Sequence, residues 1–436
     1  MKYYLAIDIG ASSGRHIVCS KTGNNYVTDE VYRFSNGMDE IDGHLVWNTV
    51  RLFDEIKQGI KTAFEKYQSI ESLSIDTWGV DYVLLKGNDE AFPCYAYRDK
   101  RTNAVIDTVH NIVPFDTLYK KTGISFQTFN TIYQLYDDYL KGRLNGVTDF
   151  LMLPEYFIYK LTGKKLKEFT QATTTGLINA RKKVFDKEII NALNLPDKLF
   201  EKELSLPNTL AGELLSDISK EVGGQTKVVL CATHDTASAV ESIDMQDNAP
   251  YISSGTWSLL GVKVQQALTD NNSQKSGYSN EGGINYIRYQ KNIMGLWIVQ
   301  CLKKELQIAN FEQMVETAKT SSYIEIFDVN DFRFYAPQNM TNEIMGYFQE
   351  HKKAPPKNNA DLFNSVYHSL AYSYKTAIDD LENNVKQKFD TLYIVGGGAK
   401  NTYLNDLTKH YTKKQILALP IEASALGNAK VQMNRV

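Results

Sequence analysis

The sequence predicts an α/β protein of two related domains, each with a mixed sheet of parallel strands and an antiparallel edge. Apolar strand segments alternate with helical segments, and the order strand, polar glycine-containing turn, strand occurs once in each half of the chain. The length of 436 residues suffices for roughly two to three domains. We expect domains at residues 1–228 and 229–436, with the glycine-containing segment 221–225 as the linker.

The first half opens with three strands in a meander, followed by a helix and a further strand. The predicted strands cover residues 3–9, 15–20, 26–34 and 73–75, with turn residues at 21–24. Phe53, Ile56, Ile60 and Phe64 recur at a spacing of three to four, which predicts a helix over 51–67. This order is typical of a parallel sheet with an antiparallel edge.

The second half returns to the same order of elements. The predicted strands cover residues 227–231, 251–252, 258–262 and 391–395. Leu362, Val366, Leu370, Ile378 and Leu381 form one apolar stripe, which predicts a helix between the last two strands. The two halves therefore resemble each other in the order of their elements more than in sequence.

Composition and charge exclude several classes of protein. Charged residues make up 23% of the chain and the net charge is −3, so no basic excess indicates nucleic acid or an anionic membrane as a partner. The four cysteines lie far apart, which excludes a zinc ribbon and argues against a disulfide scaffold. Asp8 interrupts the first apolar run too early for a signal peptide, and no stretch reaches the ~18 apolar residues of a membrane span. We expect a cytoplasmic protein.

Two polar turns are candidates for binding phosphate. In the first, Asp8 ends a strand and is followed by small residues, glycines and Arg15; in the second, residues 253–258 form a similar polar hairpin. Small residues let backbone N–H groups approach an anion, and Arg adds charged donors. An Asp at a strand end is also suited to hold Mg²⁺ through water. The structural alternative for the first turn is a tight hairpin with a salt-bridged Arg15.

A third turn, at residues 396–401, follows a strand with three consecutive glycines. Consecutive glycines permit close approach of a flat ligand such as adenine or ribose. The alternative is a crowded point of packing between helix and sheet.

Residues 233–236 contain a candidate general base. Asp235 follows the predicted strand 227–231, and a carboxylate at a strand end beside a domain boundary is suited to accept a proton. The alternative is that Asp235 or Thr236 caps a helix that starts at Ala237. His234 is expected to form hydrogen bonds rather than bind metal, because no second His or Cys has ligand spacing.

The segment 76–81 is a candidate polyol site, with Gly79, an aromatic ring and two carboxylates. Its alternative is a buried Trp beside a turn. Residues 97–99 either line the same site or form a surface ion pair. The segments 280–283 and 291–300 also combine polar residues with glycine, although the second, taken alone, is typical of core packing.

These motifs together resemble the FGGY family of carbohydrate kinases, and within it the members that phosphorylate L-rhamnulose. The matching strings include AIDIGASSGR, IDTWGVDYVLL, THDTASAV, SSGTWSLLG, NEGG, KNIMGLWIVQ, VGGGAKN and EASALGN, and they run in order from residue 6 to 428. The resemblance implies two actin/hexokinase-like (ribonuclease H-like) domains with a cleft between them. It also implies transfer of phosphate from ATP, with Mg²⁺, to O1 of L-rhamnulose. Relatives usually continue for some tens of residues beyond the last string, so we expect a C-terminal extension to be lacking here.

The resemblance also implies roles for individual residues. Asp235 matches the general base, and Asp8 matches the carboxylate near the metal-bound phosphates. The implied sugar-site residues are Gly79, His234, Asp235, Thr236 and Asn292. The implied ATP-site residues are Ala11, Ser12, Ser13, Gly14, Arg15, Thr256, Gln300 and Gly397.

Other activities remain open on the sequence alone. A kinase for L-fuculose, L-ribulose or xylulose belongs to the same class, whereas a non-catalytic sugar sensor or an actin-like assembly protein belongs to another. The presence of Asp235 beside a complete sugar segment argues against both non-enzyme alternatives. The expected partners are a sugar and ATP, and the expected assembly is a monomer or a homodimer.

Overall fold

The computed structural model describes residues 1–23, 25–245, 249–419 and 422–434. Asn24, the last residue of the predicted turn, lies outside the described residues. The chain forms two compact units, both discontinuous in sequence. The first comprises Met1–Asp244, Val264–Tyr289 and Ala423–Val436, and the second Met245–Lys263 and Gln290–Glu422. The domain division at 228 and 229 stays a prediction.

The strands are numbered in chain order over the described residues. They are β1 Tyr4–Ile9, β2 Ser13–Thr22, β3 Asn25–Ser35, β4 Asp39–Ile41, β5 His44–Trp47, β6 Ser72–Thr77, β7 Tyr82–Lys86, β8 Asp89–Glu90, β9 Cys94–Tyr95, β10 Asp149–Met152, β11 Lys167–Glu168, β12 Ile178–Asn179, β13 Val184–Phe185, β14 Leu204–Ser205, β15 Leu210–Glu213, β16 Lys227–Val229, β17 Tyr251–Ser254, β18 Trp257–Val264, β19 Ser279–Gly282, β20 Ile287–Met294, β21 Thr391–Val395 and β22 Gln415–Leu419.

The α-helices are numbered in the same way. They are α1 Thr49–Tyr67, α2 Ile106–Ile112, α3 Phe115–Thr122, α4 Thr131–Leu140, α5 Leu153–Thr162, α6 Phe169–Thr173, α7 Lys187–Ala192, α8 Ser216–Val222, α9 Asp235–Glu241, α10 Asn271–Lys275, α11 Trp297–Glu305, α12 Phe311–Lys319, α13 Met340–Glu350, α14 Asn359–Val385, α15 Thr402–Thr412 and α16 Ala423–Met433. Among the described residues, no helix combines the length and the apolar character needed to cross a membrane.

The first unit is built on a sheet with the strand order β15-β16-β6-β1-β2-β3. β1 pairs antiparallel with β2 and parallel with β6, and every residue of β1 and β6 is buried. Central strands are buried on both faces because helices cover both sides of such a sheet. Leu52, Ile56 and Ile60 of α1 belong to the core beside these strands, and Ala425 and Ala429 of α16 pack with Ala6, Ile17 and Cys19.

Helices α9 and α16 touch closely within this unit. A Cβ atom on Gly427 of α16 would lie 1.7 Å from the carbonyl oxygen of Ser238 in α9. Only glycine fits such a contact between helix backbones. The contact matters for the site because α9 begins at Asp235, and because Asn428, next to Gly427, reaches the end of β6.

The second unit repeats the same arrangement with different strands. β17 pairs antiparallel with β18 and parallel with β21, which pairs parallel with β22. α14 buries Leu362, Val366, Leu370, Ile378 and Leu381, as the apolar stripe predicts. The predicted α/β class with two related mixed sheets is therefore confirmed.

Two features differ from the sequence prediction. β4 and β5 lie between the meander and α1, where no strand was predicted; β4 has only three residues, all exposed, so it carries no alternating pattern. The predicted strand 227–231, grouped with the second half, forms β16 and pairs parallel with β6 of the first unit. Gly223 ends α8 with a left-handed φ of 82°, so the predicted linker is the turn between α8 and β16.

Candidate active site

Two carboxyl groups lie side by side where β1 and β6 end. Asp8 and Asp76 are direct partners in the parallel register of these strands. Asp76 is fully buried; its Oδ2 accepts a hydrogen bond of 2.6 Å from Asn428, and its Oδ1 is buried with no hydrogen-bond partner. Burial, and next the negative charge of Asp8, raise the pKa of Asp76 well above its ordinary value. This strand edge therefore brings acidic side chains together, and we call it the charged edge.

Asp235 joins this edge because the chain before α9 runs beside the end of β6. Thr77 and His234 form an isolated parallel bridge, and the Thr77 N–H donates to the carbonyl oxygen of Thr233 at 3.0 Å. His234 occupies the N-cap position of α9 without a side-chain capping bond, and Asp235 is the first helical residue. Neither Asp235 nor Thr236 is thus the N-cap residue, so the capping alternative is wrong.

The surroundings of Asp235 favour its protonated form more than water would. Its side chain is 28% exposed. Burial is the largest cause that raises the pKa of Asp235, and the charge of Asp8 adds to it, whereas His234 and Arg288 lower that pKa. A carboxylate with a raised pKa is a better proton acceptor near neutral pH, and its partial exposure leaves it accessible to a substrate hydroxyl.

Buried polar groups fix the residues just before Asp235. Glu168 is fully buried and accepts hydrogen bonds from the Thr233 hydroxyl at 2.7 Å and from the Thr233 N–H at 3.3 Å. The His234 N–H donates to the hydroxyl of Thr170 at 3.2 Å. The base is therefore carried by a segment that is anchored at two consecutive residues.

His234 and Thr236 contact a charged pair that sequence reasoning missed, formed by the buried Arg288 and the partly exposed Glu281. Arg288, whose side chain is fully buried, lies 3.0 Å from Glu281, 3.1 Å from His234 Nδ1 and 3.2 Å from Thr236 Oγ1. The segment 280–283 was singled out from the sequence, but its partner lies on the next strand. The one available signal was an arginine between the apolar residues Ile287 and Tyr289 of a strand.

The first polar turn is the tight hairpin between β1 and β2. The Gly10 N–H donates to the Ser13 carbonyl at 2.9 Å, and Arg15 binds Asp8 through Nε at 2.9 Å and Nη2 at 2.8 Å. The salt-bridged hairpin that the sequence offered as an alternative is thus present. Gly14 is required by packing, because a Cβ there would lie 2.1 Å from the Phe34 ring.

The same turn leaves small residues accessible at its tip. Ser12 is exposed, and Ala11 and Ser13 are partly exposed. Phosphate binding by residues 11–15 stays a prediction.

The second polar turn, between β17 and β18, is held by the start of α11 in the second unit. The Leu296 N–H donates to the Gly255 carbonyl oxygen at 2.9 Å, and the Trp297 N–H donates to the Thr256 carbonyl oxygen at 3.2 Å. The exposed Thr256 hydroxyl donates to Gln300 Oε1 at 3.4 Å. Thr256 and Gln300, two of the eight residues predicted at the ATP site, are therefore neighbours.

The three glycines after β21 serve two purposes. A Cβ on Gly396 would lie 2.7 Å from the Ser254 carbonyl, and one on Gly398 would lie 2.0 Å from the Ser254 hydroxyl. These two glycines are required by packing, as the alternative proposed. A Cβ on Gly397 would meet nothing within 4 Å, so Gly397 is the glycine with open space for a ligand.

The remaining predicted sugar-site residues lie in different units. Gly79 lies two residues after Thr77, the last residue of β6, and is buried. A Cβ on Gly79 would lie 2.9 Å from Cγ2 of Thr174. Asn292 is exposed on β20, in the second unit. Their contact with a sugar stays a prediction.

Asp81 and Asp99 have structural roles. Asp81 is fully buried and accepts from Trp47 at 2.6 Å, Trp78 at 2.9 Å and the Tyr97 N–H at 3.0 Å. Burial raises the pKa of Asp81 to about 6, against the opposing effect of these donors. Asp99 caps a short turn through the Arg101 N–H at 2.9 Å. The segment 76–81 therefore contributes Asp76 to the charged edge, while Asp81 holds the loop together.

The residues at this edge fit a divalent cation that is held mostly by other ligands. No group of three or more His, Cys, Asp or Glu side chains in the described part of the chain is arranged to hold a metal. Asp8, Asp76 and Asp235 nevertheless share a negative environment, and Asp76 Oδ1 is buried without a partner. Mg²⁺ keeps several waters and binds through one or two carboxylates plus substrate phosphates, which suits this donor set.

Family models and individual relatives both match nearly the whole chain. The model for the FGGY family of carbohydrate kinases, N-terminal domain, matches residues 3–240, and the C-terminal domain model matches residues 250–435. A protein named rhamnulokinase from Halalkalibacterium halodurans is 42% identical, covering 99% of this chain and 93% of its own length. A rhamnulokinase from Bacillus subtilis is 38% identical, covering 99% of this chain and 90% of its own length.

Solved structures show the same fold at low identity. A ligand-bound xylulose kinase from Lactobacillus acidophilus matches with a TM-score of 0.81 at 15% identity, over 100% of this chain and 89% of that one. A gluconate kinase from the same organism matches with a TM-score of 0.82 at 16% identity, with the same coverage. At these identities the likeness concerns the fold alone.

Proposed function

The chain belongs to the FGGY family of carbohydrate kinases, and from that premise we propose that it transfers the γ-phosphoryl group of ATP to O1 of L-rhamnulose. The products are L-rhamnulose 1-phosphate and ADP. Relatives named rhamnulokinase at 35–42% identity over nearly the whole chain support the choice of substrate. The observation that carries the chemistry is Asp235, a partly exposed carboxylate with a raised pKa at the first position of α9.

Asp235 acts as the general base of this reaction. A sugar hydroxyl is a weak nucleophile, and Asp235 accepts its proton as the bond from O1 to the γ-phosphorus forms and the bond to ADP breaks. General-base assistance of this kind contributes typically about 10²–10⁴-fold in rate. His234 and Thr236 flank the base and orient the sugar by hydrogen bonds.

The larger share of the catalysis comes from position and charge. Arg15 and the backbone N–H groups of residues 11–14 bind phosphate oxygens in the first unit. Thr256 and Gln300, which are hydrogen-bonded to each other, and Gly397, with open space beside it, bind the nucleotide in the second unit. Asp8 would hold Mg²⁺ through water, and the cation would neutralise charge on the phosphates.

We also propose that the protein works in the cytoplasm, where ATP is supplied. The four cysteines are all free thiols, and three of them are buried, which supports a reducing environment. A monomer or a homodimer remains the prediction for its assembly.

The assignment is tested by ADP release coupled to a reporter enzyme, with L-rhamnulose and ATP as substrates. We expect ADP release that depends on the ketose, and Asp235→Asn should lower kcat by at least about 10² while binding ATP normally. The matched control is Asp217→Asn, which changes an exposed acid in the first turn of α8 and should leave kcat unchanged. Near-normal turnover of Asp235→Asn would show that Asp235 is not the general base. A wild-type protein that does not phosphorylate L-rhamnulose would contradict the proposed function.

A further inference from the structure

Arg288 on β20 is the most completely buried charged group next to the predicted sugar residues. Its side chain has no exposed surface. Nε donates to the Gly282 carbonyl at 2.8 Å, Nη1 lies 3.2 Å from Thr236 Oγ1, and Nη2 lies 3.0 Å from Glu281 and 3.1 Å from His234 Nδ1. A guanidinium can only donate hydrogen bonds, so each of these partners must act as an acceptor toward it.

This requirement favours one position for the proton of His234. If Nδ1 accepts from Arg288, a neutral imidazole carries its hydrogen on Nε2. Nε2 lies 3.0 Å from Thr236 Oγ1 and 3.5 Å from Asp235 Oδ1. A carboxylate is an acceptor only, so the side of the ring that faces Asp235 also favours the Nε2–H form.

Glu281 makes the opposite demand. Its Oε2 lies 3.2 Å from His234 Nδ1 and would accept a hydrogen from that nitrogen. The same oxygen accepts from Arg288 Nη2, and the guanidinium offsets its negative charge at that point. Two neighbours of the ring, Arg288 and Asp235, thus favour the Nε2–H tautomer, and one favours the other form.

Thr236 completes the pattern. Its hydroxyl oxygen has two lone pairs and lies 3.2 Å from Arg288 Nη1 and 3.0 Å from His234 Nε2, closer than the 3.3 Å to His234 Nδ1. In the Nε2–H form of the ring, this oxygen therefore accepts from both Arg288 and His234. With both lone pairs occupied, the hydroxyl can act only as a donor toward any further group. A sugar oxygen is the kind of acceptor that this O–H would meet.

We propose that Arg288 is a positioning residue for sugar binding: it fixes the Nε2–H tautomer of His234 and commits the Thr236 hydroxyl to donating. The proposal rests on the proposed function of this site as a sugar kinase. Arg288 acts through its two neighbours, which present a fixed set of donors to the sugar beside the carboxylate of Asp235. A ketose with a differently placed hydroxyl would not satisfy this set.

The first test is nitrogen-15 NMR of the imidazole rings of the wild-type protein at a pH where they are neutral. The chain has seven histidines, and His234→Gln identifies the signal of His234. We expect a pyridine-type Nδ1 and a pyrrole-type Nε2. A pyrrole-type Nδ1 would overturn the proposal, because Glu281 and not Arg288 would then set the ring. This result does not depend on which substrate is phosphorylated.

The second test separates positioning from stability with Arg288→Lys, which keeps the charge but loses the planar set of donors. We expect the KM for the ketose to rise roughly 10–100-fold, the KM for ATP to stay the same, and His234 to lose its single tautomer. The matched control is Arg101→Lys, which changes another buried arginine, one paired with Asp137 and Asp138. It should lower the thermal midpoint without changing the ratio of the two KM values.

Parallel effects of the two substitutions, or an unchanged ketose KM in Arg288→Lys, would overturn the proposal. If Arg288→Lys does not fold, the tautomer of His234 measured in the wild-type protein still tests the proposal. Should the wild type phosphorylate no ketose, the proposed function fails separately, while the tautomer measurement stands.

Discussion

At the scale of residues, Asp76 near the end of β6 and Asp235 at the start of α9 are two acids with different access to a ligand. Asp76 is fully buried and bound by Asn428, whereas Asp235 is 28% exposed. Burial raises the pKa of both groups, and Asp8 raises both further. Of these two acids, only Asp235 combines a raised pKa with an exposed side chain. This difference makes Asp235 the candidate base and leaves Asp76 as a buried acid of the charged edge.

The raised pKa of Asp235 predicts the acid limb of the pH profile. The base must be ionised, so kcat/KM for the ketose should fall about tenfold per pH unit as pH drops below that pKa. Because the shift is upward, the limb should lie above 3.8, the ordinary pKa of Asp. The measurement is kcat/KM against pH for the wild type, with the residual rate of Asp235→Asn as reference. If kcat/KM of Asp235→Asn still fell tenfold per pH unit, the acid limb would belong to another group.

Sequence reasoning found Asp235 but not Arg288. A carboxylate after a strand is visible in the sequence because a strand end is a local pattern. The contacts of Arg288 with His234 and Thr236 join residues more than fifty positions apart, so no local pattern contains them. Asp81 shows the converse, since it lies in a site-like motif yet is used to bind Trp47 and Trp78.

At the scale of elements, the hairpin of β17 and β18 depends on one close approach to the chain before α11. A Cβ on Gly295 would lie 2.7 Å from the Gly255 carbonyl oxygen and 2.8 Å from the Thr256 carbonyl oxygen. These atoms belong to backbone, which cannot turn aside as a side chain can. Gly295 thus fixes where the hairpin presents Thr256.

Gly295→Ala should therefore displace the hairpin. We expect the KM for ATP to rise at least roughly tenfold, with a loss of stability of about 1–3 kcal/mol from overpacking. The measurements are the ATP dependence of the coupled assay and urea unfolding.

Gly346→Ala is the matched control in the same unit. This glycine lies inside α13, where an added Cβ has its nearest neighbour at 3.9 Å. It should stabilise the protein by about 0.5–1 kcal/mol, because alanine is the better helix former, and leave the ATP dependence unchanged. An unaltered ATP KM in Gly295→Ala would show that the hairpin position does not matter for nucleotide binding.

Long elements were predictable and short ones were not. β1, α1 and β21 were predicted to within two residues, and the stripe from Leu362 to Leu381 lies inside α14, because each has a clear apolar period or run. The exposed β4 has no such period, and the polar contacts that hold the hairpin to α11 are made between backbones. Backbone contacts leave little trace in the sequence other than glycine.

At the scale of the whole molecule, the two units repeat one arrangement and carry different parts of the predicted site. The first holds Asp8, Asp76, His234 and Asp235, and the second holds Thr256, Gln300 and Gly397. The repeat was visible in the order of the elements, but each unit is discontinuous in sequence. Segment Val264–Tyr289, which carries Glu281 and Arg288, returns to the first unit. The return of this segment to the first unit depends on tertiary packing. A division of the chain at one point in the sequence therefore could not predict it.

The most direct test of the account is the ratio of kcat/KM for L-rhamnulose to that for L-fuculose, measured by coupled ADP release with Mg²⁺ and ATP. L-Fuculose keeps the methyl group and changes the hydroxyl geometry, so it probes the donors around Asp235 rather than the size of the site. A site that binds particular hydroxyls leaves buried polar groups unpaired with the wrong isomer. We predict a ratio of at least about 100 in favour of L-rhamnulose, with kcat for both ketoses lowered at least about 10²-fold by Asp235→Asn. A kcat/KM for L-fuculose equal to or above that for L-rhamnulose would contradict the account.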